Sequence, residues 1–125
     1  SLYTSVISNL CVKGISESLL KVDVPKLYVS NVMTQPGETN HYTALDHVTA
    51  IHDHIGNNCI NYAICSTQLF HGDVVERYRE DNAEPVKCDI AEMEAKGIKV
   101  FTHPNLVEVS TENYARNRDN RIYSR

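Results

Sequence analysis

Apolar positions in this chain come in two rhythms that alternate along its length. Leu27-Tyr28-Val29, Ile60 to Cys65 and Ile98 to Phe101 are short runs rich in β-branched and aromatic residues, the signature of buried strands. Between them the spacing changes to three and four. Leu45, Val48, Ile51 and Ile55 fall on one helical face. Val74, Val75 and Tyr78 share a face of another helix, whose remaining faces carry Glu76, Arg77, Arg79, Glu80 and Asp81 as a solvated charge pattern. Ahead of the first strand, Val6, Ile7, Leu10, Ile15, Leu19 and Leu20 predict one or two short helices broken near Gly14. Val86-Lys87-Cys88 reads as a further short strand and Leu106–Val109 as a last edge strand. The alternation predicts an α/β fold, Rossmann-like in the broad sense, with a mainly parallel sheet, flanking helices and a single domain over residues 1–125.

Polar punctuation sharpens this outline. Thr43-Ala44-Leu45-Asp46 reads as a capping box with Asp in place of Glu, and Asp89-Ile90-Ala91-Glu92 as a second one. Asp73 is placed at the start of the helix between them. Gly56 and Gly97 stop helices, while Pro25 and Pro85 break the chain between elements. Ser1 is placed to cap the first helix.

The strand Lys26–Asn31 runs into Val32–Thr39, a polar loop with Pro36-Gly37 at its centre. Proline presets φ and glycine tolerates positive φ, as a type II turn needs. In open α/β sheets ligands bind beyond the carboxyl ends of strands. Asn31, Thr34, Gln35, Glu38 and Thr39 bring hydrogen-bonding side chains to that position, and Ser66-Thr67-Gln68 follows the next strand on the same edge. A solvated connection explains the loop taken alone equally well.

Composition narrows the class. The chain has 125 residues, 42% of them hydrophobic, with a net charge of −4 and charges interspersed. That is one domain with a real core. There is no basic stripe for nucleic acid, no apolar run of transmembrane length and no signal-peptide pattern. Cys11, Cys59, Cys65 and Cys88 form no C-x-x-C pair and read as buried, reduced thiols of a cytoplasmic protein. His47, His52 and His54 share a helix with Asp46 and Asp53, yet no two of the five stand at i, i+3 or i, i+4. The helix alone therefore cannot chelate one ion, and packed or surface histidines are expected. No nucleophile elbow, dinucleotide fingerprint or Walker A loop occurs. Residue spacing thus leads to a small-molecule-binding α/β domain and no further.

Motifs lead further. Ser1-Leu2-Tyr3-Thr4-Ser5, Asn9-Leu10, the run Asn31-Val32-Met33-Thr34-Gln35-Pro36-Gly37-Glu38-Thr39, Tyr42-Thr43 and Asp46-His47-Val48 together resemble the bacterial gluconeogenesis factor family, relatives of 2-phospho-L-lactate transferase. The resemblance spans essentially the whole chain and corresponds to the C-terminal portion of a family member. The family's glycine-rich loop and the Gly-Pro-Gly that normally precedes Ser1 are not in this sequence.

The resemblance implies a cytoplasmic Rossmann-like protein that binds a UDP-sugar such as UDP-N-acetylglucosamine. It implies a role in gluconeogenic growth, cell shape and wall-precursor supply, with no cofactor and no established catalysis. A transferase acting on a deazaflavin is the alternative. It also implies Tyr78, within Glu76-Arg77-Tyr78, and Arg116 as UDP-sugar contacts. After Arg116 the chain reads Asn117-Arg118-Asp119 where the family often has His-Asp/Asn-Thr, so the threonine phosphorylated in some members is absent. The expected binding set is Ser1, Thr4, Asn31, Thr34, Gln35, Gly37, Glu38, Thr39, Tyr78 and Arg116, with no metal. Partners are expected to be a nucleotide sugar and, through an exposed sheet edge, a second copy of the chain, with no nucleic acid and no membrane insertion.

Overall fold

The computed structural model describes residues 1–57 and 59–107. A π-helical stretch, Leu2–Ile7, continues into α1 (Ser8–Leu10), and α2 (Ile15–Lys21) follows a break at Gly14, whose φ is 92°. Then come β1 (Leu27–Val29), α3 (Ala44–Ile55), β2 (Tyr62–Ser66), α4 (Gly72–Glu80), α5 (Ile90–Ala95) and β3 (Lys99–His103). The strands form one parallel sheet in the order β1-β2-β3, with Leu27 opposite Tyr62 and Tyr62 opposite Lys99. Parallel neighbours need crossover connections. Here α3 provides the first, and α4 with α5 the second.

One face of this sheet makes the core. Tyr28, Ala63 and Cys65 pack with Val48, Ile51 and Ile55 of α3, Met93 of α5, and Leu2 and Ile7 of the π-helical stretch. The predicted face of α3 is thus the buried one. The other side of the sheet is open: Leu27, Val29 and Phe101 are 50%, 59% and 46% exposed, and Phe101 stacks on Tyr62 with ring centroids 6.2 Å apart.

The Thr43 capping box forms as predicted. Thr43 Oγ1 accepts the Asp46 N–H at 3.2 Å and Asp46 Oδ2 accepts the Thr43 N–H at 2.8 Å. The second box does not form. Asp89 makes no cap bond to its own helix; its Oδ1 accepts the Leu45 N–H at the start of α3, at 3.0 Å. A single carboxylate turned toward α3 leaves α5 uncapped.

Four boundaries also differ from expectation. Strand β1 is shorter than Lys26–Asn31, although the Ser30 N–H still reaches the Ile64 carbonyl at 2.9 Å. Strand β2 starts later than Ile60, because the Ile60 N–H is taken by His52 Nε2 at 3.1 Å. Val86-Lys87-Cys88 is not a sheet strand. This segment pairs with the loop after β1, through a Met33–Pro85 bridge and a Val86 N–H to Val32 carbonyl bond of 2.9 Å. Leu106 and Val107 form no strand either. The Gln68 side-chain amide brackets Val107, with Nε2 donating to its carbonyl at 3.0 Å and Oε1 accepting its N–H at 3.2 Å. Residues 108–109 of that expected strand lie outside the described residues.

Candidate functional site

The loop leaving β1 is held by its own polar groups. Gly37 has φ 79° and the Glu38 N–H reaches the Gln35 carbonyl at 3.1 Å, which is the expected type II turn over Pro36-Gly37. Thr39 is fully buried; its hydroxyl accepts the Gln35 N–H at 2.8 Å. Asn40 Oδ1 accepts the Gly37 N–H at 2.7 Å. Thr34, also buried, exchanges bonds with Glu84: its N–H donates to the Glu84 carbonyl at 2.7 Å and its Oγ1 accepts the Glu84 N–H at 2.9 Å. Asn31 Oδ1 accepts the Tyr28 hydroxyl at 3.1 Å. The loop is consequently a stiff shelf. Of its predicted site residues, Asn31, Thr34 and Thr39 have side chains engaged inside the fold, and Gln35 and Gly37 contribute backbone to it.

Glu38 points elsewhere. Its Oε2 accepts the Ser1 hydroxyl at 2.5 Å. Ser1 Oγ in turn accepts the Thr4 hydroxyl at 2.6 Å and the Thr4 N–H at 3.1 Å, so Ser1 caps the first turn as predicted. Three predicted residues, Ser1, Thr4 and Glu38, are thereby brought to one rim from opposite ends of a 37-residue separation. Beside them stand two tyrosines, whose part in the rim residue spacing did not reveal. Tyr3 and Tyr42 share a hydroxyl–hydroxyl bond of 2.7 Å. That bond, then burial and nearby charges including Glu38, push the Tyr3 phenol up to about 12. The Tyr3 phenol is thereby kept neutral at physiological pH. The sequence signal for them was their place in the quoted motifs, not any periodicity.

Beneath the rim lies His47, fully buried. It is stacked beside Tyr28 and meets the Tyr42 ring edge-on at 5.5 Å. Its Nδ1 is 2.7 Å from the Thr43 carbonyl, so Nδ1 carries the proton, and Nε2 has no partner among the described residues. Burial pushes the His47 pKa below the usual imidazole range, against a weaker upward pull from the Thr43 bond, Asp46 and Asp89. His52 is lowered too, first by burial. Its Nε2 lone pair is needed to hold the Ile60 N–H.

The sign follows from linkage. The unfolded chain binds a proton on each histidine near pH 6.5, whereas the folded chain refuses it until the pH is lower. Stability is therefore complete above about pH 6.5 and falls as the pH drops from there through the folded values. Urea midpoints measured between pH 7.5 and 5 should decrease, and His47→Gln together with His52→Gln should flatten the slope.

Tyr78 is 41% exposed on α4. Its carbonyl accepts the Ala83 N–H at 2.8 Å, in the turn that leads to Glu84 and so to the loop after β1. Arg116 lies outside the described residues. The cysteines are free, and Cys11 is exposed rather than buried, because it follows the end of α1 outside the core. Burial raises the thiol pKa values of Cys59, Cys65 and Cys88, with Cys65 reaching about 12, which leaves them protonated and unreactive at neutral pH. Among the described residues no three His, Cys, Asp or Glu side chains gather as metal ligands, and no helix is long and apolar enough to cross a membrane. A hollow of about 350 Å³ lined by Asp23, Val24, Pro25, Asn61 and Tyr62 lies at the amino ends of β1 and β2, away from the loop.

These features define a parallel α/β protein with a stiff polar shelf at the carboxyl end of its first strand and a hydroxyl-rich rim around one carboxylate. The chain belongs to the 2-phospho-L-lactate transferase CofD family, whose pattern matches residues 1–106. It is 43% identical over 101 residues to the gluconeogenesis factor of Bacillus subtilis (strain 168), covering 81% of this chain and 32% of that protein. It is 42% identical over 98 residues to the gluconeogenesis factor of Halalkalibacterium halodurans, covering 78% of this chain and 30% of that protein. A crystal structure of a UPF0052-family member from Bacillus halodurans superposes with a TM-score of 0.82 at 39% identity, over 86% of this chain and 35% of that one. The chain thus spans about a third of the length of these relatives.

Proposed function

We propose that this chain is part of a nucleotide-sugar-binding domain, and that the protein is a gluconeogenesis factor acting as a cytoplasmic regulator rather than a catalyst. Its ligand is a UDP-sugar of the UDP-N-acetylglucosamine kind. Its output is control of gluconeogenic growth, cell shape and wall-precursor supply. The observation that carries the reading is the shelf and rim at the carboxyl end of β1, in a chain whose relatives include gluconeogenesis factors. In α/β sheets that edge is where metabolites dock. In this reading Arg116 pairs its guanidinium fork with the pyrophosphate. Tyr78, half-exposed, stacks on the base or bonds the sugar. The outer edges of β1 and β3, unpaired with any further strand among the described residues, support self-association.

Calorimetry tests this. UDP-N-acetylglucosamine should bind the intact protein, and Tyr78→Ala and Arg116→Ala should each weaken it by about tenfold, the size of one lost stacking or charge-assisted contact. Unchanged affinity in both variants removes these residues from the site.

The matching family's description, a 2-phospho-L-lactate transferase, favours one second reading, an enzyme that moves a phospholactyl group onto a deazaflavin. Product formed from an activated phospholactyl donor and a deazaflavin would decide for it.

A further inference from the structure

Between Thr34 and Thr39 the shelf has no amide hydrogen left to give. The Thr34 N–H goes to the Glu84 carbonyl, Gln35 to Thr39 Oγ1, Gly37 to Asn40 Oδ1, and both Glu38 and Thr39 to the Gln35 carbonyl. Pro36 has none to offer. The start of α3 is equally spent. Ala44 donates to the Lys87 carbonyl at 2.9 Å, Leu45 to Asp89 Oδ1, and Asp46 to Thr43 Oγ1. Phosphate-binding loops and helix ends work through free backbone N–H groups and positive potential. The Thr34–Thr39 turn lacks the first, and between Asn31 and Thr43 the loop carries no Lys or Arg.

What it presents instead is an acceptor. Glu38 takes the Ser1 hydroxyl on Oε2, and its other oxygen accepts no hydrogen bond from the described residues. An ionised carboxylate only accepts, and it repels phosphate. Around it stand the Ser1 and Thr4 hydroxyls, with the Tyr3–Tyr42 pair close by. Two carboxylate oxygens among hydroxyls match a neighbouring pair of ligand hydroxyls.

Resting on the nucleotide-sugar reading, we propose that Glu38 is the specificity residue that binds vicinal hydroxyls of the ligand, on its ribose or its hexose, and that the phosphates seat away from the Pro36-Gly37 turn.

The test is calorimetry on the intact protein that contains this chain and on its Glu38→Gln and Glu38→Asp variants, with UDP-N-acetylglucosamine, UDP and inorganic pyrophosphate as titrants. Glu38→Gln keeps the shape, and an unchanged melting temperature shows that it keeps the fold. It should weaken UDP-N-acetylglucosamine about tenfold or more, the loss expected for a hydrogen bond to a charged acceptor, while leaving pyrophosphate no weaker. Glu38→Asp should fall between the two. Equal weakening of UDP assigns the hydroxyls to the ribose and sparing of UDP assigns them to the hexose; both support the proposal. Wild-type binding of UDP-N-acetylglucosamine that Glu38→Gln leaves intact or tightens overturns it, as does equal weakening of pyrophosphate. An intact wild-type protein that takes up none of the three overturns the nucleotide-sugar reading itself and this proposal with it.

Discussion

Replacing Ile51 by alanine should lower the unfolding free energy by about 3 kcal/mol, the usual cost of a cavity left by a buried aliphatic side chain. Ile51 is 1% exposed, in the middle of the buried face of α3 and inside the one core cluster that joins sheet, helix and amino-terminal stretch. The rest of the core has little freedom to close the gap, because α3 is tied at its start by the Thr43–Asp46 box and by Asp89. Urea unfolding followed by circular dichroism reads the change directly. A loss under about 1 kcal/mol would place Ile51 in a site able to collapse, at odds with the packing described.

The second large effect is expected at Asp89. Asp89→Ala should cost about 2 kcal/mol, because the Leu45 N–H at the start of α3 loses a charged acceptor in a place where water has poor access. Asp89 is only 8% exposed and its bond spans 44 residues, so its loss uncouples the start of α5 from that of α3. Asp89→Asn, which keeps an oxygen in place, should lose about half as much. Hydrogen exchange at the Leu45 amide should speed up in Asp89→Ala before the amides in the middle of α3 do. Equal stability of wild type and Asp89→Ala would show that the bond contributes nothing net.

Glu38, treated above, belongs to the same logic at the surface. It takes part in no core packing, so its substitution should act on ligand rather than on stability. That contrast separates it from Thr39. The Thr39 hydroxyl was grouped with Glu38 on motif grounds, yet it is buried and spent on the Gln35 amide. A substitution at Thr39 reports on the loop's integrity first.

Much of the outline was written in local pattern. Short apolar runs and period-3.6 spacing together outlined three strands between helices. The Thr43–Asp46 box, the Gly14 break and the Pro36-Gly37 turn depend on residues close in sequence, and each formed as expected. Local pattern misled where a residue had a distant competitor for its bond. Asp89 fits a cap for its own helix but serves α3 instead. Val86–Cys88 has strand-like residues, but it follows Pro85 and finds its partner in the loop after β1 rather than in the sheet. Ile60 looks like strand, but His52 claims its amide.

By itself, then, the sequence determined the element types, the parallel α/β class and the family motifs, because backbone propensity and burial periodicity are properties of neighbours along the chain. Only the tertiary structure decided which polar groups of the motif-bearing loop are consumed by the fold and which are left for a ligand. Some hydrogen-bond partners there are near in sequence, but Ser1 and Glu38 stand 37 residues apart and Thr34 and Glu84 stand 50 apart. No local rule assigns a donor when several acceptors compete, since the choice depends on which of them the folded core brings within 3 Å.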